Sequence, residues 1–448
     1  MERWRELEDK DHRYLWHPFT QMEEWCDEEP LIIERGEGNW LIDAEGNRYL
    51  DGVSSLWANL HGHRRPEIDA AIRAQLDYIA HSTLLGLSHP SAIGLAERLV
   101  GIAPEGLTRA FYSDDGATAV EVALKMAFQY WQQHAGGRFR EKTRFAYLAS
   151  AYHGDTIGAV GVGGITLFHQ LYRPLLFDAL RLPAAYDERD RAMTLIQIEQ
   201  VLAREADRLA ALIMEPLIQG AAGMRIYPAG FTERVWELCR RYNILFIADE
   251  VATGFGRTGT MFACEQEEVR PDFLCVAKGL TGGYLPLAVT LTTEEVFRAF
   301  LGPTAEQRTF FHGHTYTGNP LGCAAALASL EIFVQEGTLT RLRSTIPYLA
   351  AALKPFRDLR HVGEIRQLGL MAGIELVADV AEKHPYPVER RIGHQVSRAA
   401  RRSGVILRPL GDVIVLMPPL SIRPEEIDHL VGALYRAIEA VTEGPGNA

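Results

Sequence analysis

The sequence predicts an α/β protein: a large unit built on a mainly parallel sheet with helices on both faces, joined to a smaller α+β unit made from both chain ends. Three observations predict it. Short, continuous apolar runs alternate with helical patterns from about residue 88 onward, as strands buried on both faces require. The texture changes after about residue 340, where strand pairs and helices form a smaller unit. The length, 448 residues, is also too great for one simple core. The expected boundaries are 1–60 for the N-terminal part of the small domain, 61–335 for the large domain and 336–448 for the C-terminal part.

In chain order, residues 31–50, LIIERGEGNWLIDAEGNRYL, read as short strands punctuated by Gly36, Gly38 and Gly46. The strand candidate at 109–114 runs into a helical pattern, GATAVEVALKMAFQYWQQH, with apolar residues three and four apart. Four more apolar runs, at 145–150, 211–216, 244–250 and 273–279, complete the set of expected buried strands. The small unit then reads as a helix (339–354), the stretch IRQLGLMAGIELV, a basic helix (388–403), DVIVLMPPL and a last helix (424–442). The basic stretch from Glu389 interleaves its charges with apolar and small residues. It reads as a solvated helix face.

Composition narrows the function. Hydrophobic residues make up 47% of the chain and charged residues 23%, as in a soluble globular protein. The formal net charge of -12 argues against a nucleic-acid surface, which needs a basic stripe. The five cysteines are scattered and form no CxxC pair, so neither a disulfide framework nor a zinc site is expected. The first residues are highly charged with no apolar h-region, and no run of 18 apolar residues occurs. No secretory signal and no membrane span are expected, and a cytoplasmic location follows. His61, His63, His312 and His314 sit in no H-E-x-x-H pattern. They read as hydrogen-bonded loop residues rather than metal ligands, and no metal is expected.

In open parallel sheets, ligands bind at the carboxyl ends of the strands. Those ends carry Asp114-Asp115-Gly116-Ala117-Thr118, Tyr152-His153, Glu215, Asp249-Glu250 and Lys278. Taken singly, each acid has a bland reading as a cap or turn residue. A lysine at the end of a buried strand is less easily dismissed, because desolvation lowers its pKa and supplies a neutral amine. Pyridoxal phosphate (PLP) needs a lysine to bond its aldehyde carbon, an acid at the ring nitrogen, a flat group over the ring and donors for the phosphate. Lys278 and Asp249 supply the first two, and Tyr152 or His153 the third. The helix start at Gly116 and Ala117 supplies backbone N–H groups, and Thr118 a possible hydroxyl. The glycine-rich GVGGIT at 161–166 lacks the GxGxxG spacing of a dinucleotide loop, and no GxxxxGK[ST] occurs.

At this point the residues resemble a known family. ILFIADEVATGFGRTGTMFACE (244–265) followed by PDFLCVAKGLTGGYLPLA, with Asp249 and Lys278 29 residues apart, looks like the signature of class III, fold-type I aminotransferases. WHPFTQM, DGVSSLWANLHGH, AHSTLLG, YHGDTIGAVGVGG and FFHGHTYTGNPLGCAAAL resemble that family's biotin-pathway branch. The likeness runs from about residue 12 to 440. It implies PLP as cofactor and 8-amino-7-oxononanoate as amino acceptor. The implied donor is S-adenosylmethionine or L-lysine, and the implied assembly is a homodimer whose subunits share each site.

The resemblance also implies roles. Lys278 bonds the cofactor and shuttles a proton, Asp249 pairs with the ring nitrogen, and Tyr152 stacks near the ring. Gly116, Ala117, His153, Glu215, His314 and Thr315 are implied cofactor contacts, with Thr315 reaching across from the partner subunit. Arg408 is the implied partner of the substrate carboxylate, for which a bidentate guanidinium is suited. Arg257 is a second candidate anion contact, set against a reading as a loop arginine tied to carbonyls. Phe19, Leu56, Trp57 and Gly313 complete the implied substrate site. Three positions depart from the common pattern. Phe19 stands where many members have tyrosine, Leu56-Trp57 where many have two tryptophans, and Asp115 where serine is usual. The first two resemble the Bacillus-type members, for which lysine is an alternative donor. Asp115 suits a helix cap but sets a charge near the phosphate. The alternative activity is that of a general ω-amine transaminase.

Overall fold

A computed structural model describes residues 2–443. Its centre is a seven-stranded sheet. In chain order the strands are β1 (Leu107–Ser113), β2 (Arg144–Leu148), β3 (Ala179–Leu182), β4 (Leu209–Met214), β5 (Leu245–Asp249), β6 (Phe273–Val276) and β7 (Ala288–Thr293). Their order across the sheet is β1-β7-β6-β5-β4-β2-β3. Only β7 runs against the others. This is the mainly parallel sheet the sequence predicts.

The continuous apolar runs have a simple cause. Along β4, β5 and β6, Leu212, Met214, Phe246, Ala248, Leu274 and Val276 enter one core. Alternate residues Ala211, Ile213, Leu245, Ile247, Phe273 and Cys275 enter a second. Both faces are buried, so neither can be polar. The helix Gly116–Gln133 covers the second face through Val120, Ala123, Leu124, Ala127 and Trp131. The helices Glu188–Glu205 and Phe231–Arg241 cover the first through Ile198, Leu202, Phe231, Val235 and Leu238.

The structure adds two strands, β3 and β7, to the five expected. β3 is a short edge strand with an exposed Arg181. β7 reads AVTLTT, and its threonines hide it. Two of them are buried because Thr290 Oγ1 donates to Ala119 O at 2.8 Å and Thr292 Oγ1 to Asp272 O at 2.9 Å.

Two four-stranded sheets flank the central one. The first joins Ile33–Glu37, Trp40–Asp43 and Arg48–Asp51 to Val405–Ile406, which runs parallel to 48–51. The second is antiparallel and joins Val362–Leu368, Met371–Leu376, Val413–Leu416 and Arg408–Leu410. The final helix, Pro424–Thr442, lies where expected. The basic helix starts later than expected, at Ile392, because Arg391 takes a left-handed conformation (φ 46°) and caps it. Its charges do more than meet water: Arg391 pairs with Glu24, and Arg398 lies 3.5 Å from Glu28.

Candidate active site

The six parallel strands end on one side, and there a cavity of about 790 Å³ opens. Lys278 lies two residues beyond β6, and Asp249 closes the neighbouring β5. Both line the cavity. So do Tyr152 and His153 beyond β2, Glu215 beyond β4, and Gly116 and Ala117 beyond β1. Phe19, Leu56, Trp57 and Arg408 form further wall.

Asp249 is buried and its two oxygens have different partners. Oδ2 lies 2.6 Å from His153 Nδ1, and Oδ1 accepts from Val251 N–H at 3.1 Å. His153 is buried with it, and His153 Nε2 has no partner among the described residues. Lys278 Nζ sits 4.8 Å from the centre of the Trp57 ring. Desolvation lowers the Lys278 pKa, against the opposing pull of Asp249 and Glu215. The backbone of Lys278 is left-handed (φ 43°), a strained geometry for a non-glycine residue. Glu215 accepts from Tyr152 N–H at 3.2 Å and Gly220 N–H at 3.0 Å. Burial raises its pKa to about 7.

The helix Gly116–Gln133 begins at the same cavity, against Val251. Asp115 caps it: Oδ1 accepts from Thr118 N–H at 2.9 Å, and Asp115 N–H donates to Thr118 Oγ1 at 3.1 Å. Thr118 is therefore spent on the cap rather than offered to a phosphate, which corrects the expectation from sequence. The Asp115 charge likewise meets the first helical turn. The Gly116 and Ala117 amides, first in the helix, have no intrahelical acceptor. Gly116 must be glycine, since a Cβ there would fall 2.5 Å from Val251 Cγ1. A flat group that carries a phosphate at one end and a protonated ring nitrogen at the other fits this donor set.

Four expected contacts lie elsewhere in this chain. Arg257 is fully buried and does not line the cavity. Its guanidinium donates to Pro418 O at 2.5 Å and Asn59 O at 2.8 Å, and burial lowers its pKa to about 9. It is a tie between loops, a correction to the expected substrate contact. Gly313 and Thr315 are exposed and off the cavity wall, and His314 Nδ1 lies 3.4 Å from Asp114 Oδ2.

Sequence reasoning also missed lining residues. Val251 faces the helix start but is an apolar residue like any in the core. Asp155 accepts from Tyr152 Oη at 2.7 Å, and its position three residues after Tyr152 was the available signal. Phe168 meets Phe19 edge-on at 5.4 Å, and Arg408 lies 5.9 Å from the Phe19 ring. Nothing local in the sequence marks Phe168.

Known proteins resemble this chain in sequence and fold. A family model described as aminotransferase class-III matches residues 22–438. An adenosylmethionine-8-amino-7-oxononanoate aminotransferase of Nitratidesulfovibrio vulgaris is 57% identical, over 98% of this chain and 82% of that protein. Its namesake from Geobacter sulfurreducens is 54% identical, with 98% of each covered. The crystal structure of the enzyme of that name from Methanocaldococcus jannaschii superposes with a TM-score of 0.94 at 48% identity, covering 98% of this chain and 99% of that one. An (S)-enantioselective omega-transaminase from Thermomicrobium roseum gives 0.93 at 36% identity, with 98% of each covered. With the family model spanning nearly the whole chain and relatives well above the level at which families diverge, this chain belongs to the class-III aminotransferases.

Proposed function

We propose that this chain is a PLP-dependent aminotransferase that places an amino group on 8-amino-7-oxononanoate in biotin biosynthesis. One observation carries the reading: Lys278 and Asp249, on adjacent strand ends, face one cavity with the Gly116 helix start. When bound, PLP supplies an electron sink for charge at the substrate carbon. Lys278, its ammonium disfavoured by burial, is the group that takes and returns a proton at that carbon. Asp249, held by His153 and Val251 N–H, keeps a proton on the ring nitrogen. Tyr152 gives the flat face, and the Gly116 and Ala117 amides meet the phosphate. Arg408 at the Phe19 wall takes the substrate carboxylate. The names of the relatives support the acceptor.

The test is an assay at fixed 8-amino-7-oxononanoate with S-adenosylmethionine and L-lysine supplied separately as donors. Formation of 7,8-diaminononanoate with either confirms the reading and identifies the donor. No product with either, alongside good turnover of simple amines, would overturn it in favour of a general ω-amine transaminase.

We also propose a cytoplasmic homodimer in which Thr315 of the partner subunit completes each site. Supporting this, Thr315 is exposed off this chain's own cavity, on a segment that also exposes Phe311 and Tyr316. Among the described residues no helix is long and apolar enough to cross a membrane. We propose too that 1–60 and 336–448 form one small domain around 61–335. The pairing of 405–406 with 48–51 supports that division, as do the bonds from Asn39 and Trp40 to Glu426.

A further inference from the structure

Residues 54–57 are four consecutive non-glycine residues in left-handed backbone, with φ of 51° at Ser54, 47° at Ser55, 75° at Leu56 and 69° at Trp57. L-residues visit that region singly, not in series. Such a turn persists only where its surroundings over-determine it, and strain of this kind gathers at functional sites. Here the turn is part of the cavity wall: Leu56 and Trp57 line it, and Trp57 lies over Lys278.

The restraint comes from outside the cavity. Asp51 is fully buried, and its Oδ1 accepts from Ser55 N–H at 2.9 Å. Its Oδ2 accepts from Ser55 Oγ at 2.7 Å and from His63 Nε2 at 3.0 Å. One carboxylate thus grips the turn twice and is itself held by the imidazole. His63 is fixed in turn. Its N–H donates to Gly38 O at 2.5 Å, and its Cβ packs where a Gly36 side chain would stand, at 2.6 Å. Gly52, next to Asp51, packs too closely for a side chain, since a Cβ there would fall 2.8 Å from Ile406 O. At the start of the turn Ser54 Oγ donates to Met417 O at 2.7 Å. Neither Asp51 nor His63 lines the cavity.

We propose that Asp51 and His63 are positioning residues for the substrate wall: together they lock the left-handed turn Ser54–Trp57, and so set where Leu56 and Trp57 stand in the cavity. The proposal rests on the aminotransferase reading for its effect on substrate, but the lock itself does not. Releasing the turn moves the wall while leaving Asp249, His153 and the Gly116 helix start in place.

The experiment uses the holoenzyme and the variants Asp51→Asn, His63→Gln and Ser55→Ala, the last a mild change at an exposed residue. Two readouts are taken: KM and kcat for the keto acceptor, and amide hydrogen exchange by mass spectrometry. The expected result is a KM raised about tenfold in Asp51→Asn and His63→Gln and less in Ser55→Ala, with kcat held within about threefold. Exchange should quicken over residues 53–58 and stay at the wild-type rate over 245–249. Wild-type KM and wild-type exchange in all three variants would overturn the lock. So would kcat, cofactor retention and exchange over 245–249 failing together, which marks a general structural role. If the wild-type chain transaminates no keto acid, the function reading falls, and the exchange pattern alone still decides the lock.

Discussion

At Asp249 one carboxylate oxygen faces a buried histidine and the other a backbone amide, so its orientation is fixed before any ligand arrives. An amide in its place cannot hold a proton on a ring nitrogen. Asp249→Asn should lower kcat by about a hundredfold or more, measured on protein that still retains cofactor. Lys278→Ala removes the proton-moving amine. It should abolish turnover and the absorbance of covalently held cofactor, and normal turnover in that variant would sink the reading. These two residues were legible because a lysine and an aspartate at the ends of apolar strands are chemically out of place. Arg257 shows the opposite case. The family resemblance suggested an anion contact, yet its partners are two carbonyls that lie 161 and 198 residues away. Val251 was invisible for a different reason: an apolar wall residue has the same local signature as a core residue.

Between residue and domain, the loop after β5 hangs on Glu250. This buried acid accepts from Ala263 N–H at 2.7 Å, Cys264 N–H at 2.8 Å and Thr253 Oγ1 at 3.1 Å. Burial raises its pKa to about 7 in spite of those donors, from an ordinary value of 4.5. The folded chain therefore keeps a proton that the unfolded chain has released. Raising pH from 4.5 to 7 weakens folding through this group. Glu250→Gln should flatten that part of the pH–Tm profile, and leaving one N–H without an acceptor should cost about 1–3 kcal/mol. An unchanged slope between pH 5 and 7 would refute the assignment. Asp115→Ala, which removes the cap of the Gly116 helix, should cost about 1 kcal/mol in denaturant unfolding. Five of the seven central strands and the helix Gly116–Gln133 were readable from apolar runs and three-four spacing. β7 was not, because hydroxyls paired to carbonyls make threonine a core residue that hydropathy does not flag.

For the whole molecule, the proposed dimer predicts complementation. A Lys278→Ala chain mixed with a Thr315→Ala chain should regain activity that neither has alone. In the mixed dimer one site has an intact Lys278 and receives an intact Thr315 of the partner subunit. Absence of any recovery on mixing and reassembly would count against shared sites. The proposed division into a large unit and a small one from both chain ends rests in the sequence on a change of texture, which names no strand partners. The parallel pairing of 405–406 with 48–51 spans most of the chain and leaves no local trace.

That same pairing sets an order of events during synthesis. The strand Arg48–Asp51 is made about 350 residues before its neighbour Val405–Ile406. Met417, which receives the hydroxyl of Ser54, emerges later still. A nascent chain of about 400 residues would hold Lys278, Asp249 and the Gly116 helix, but its first sheet would lack an edge and its left-handed turn an anchor. The parts proposed to hold the cofactor can thus assemble on the ribosome, whereas the proposed substrate wall waits until Met417 has emerged.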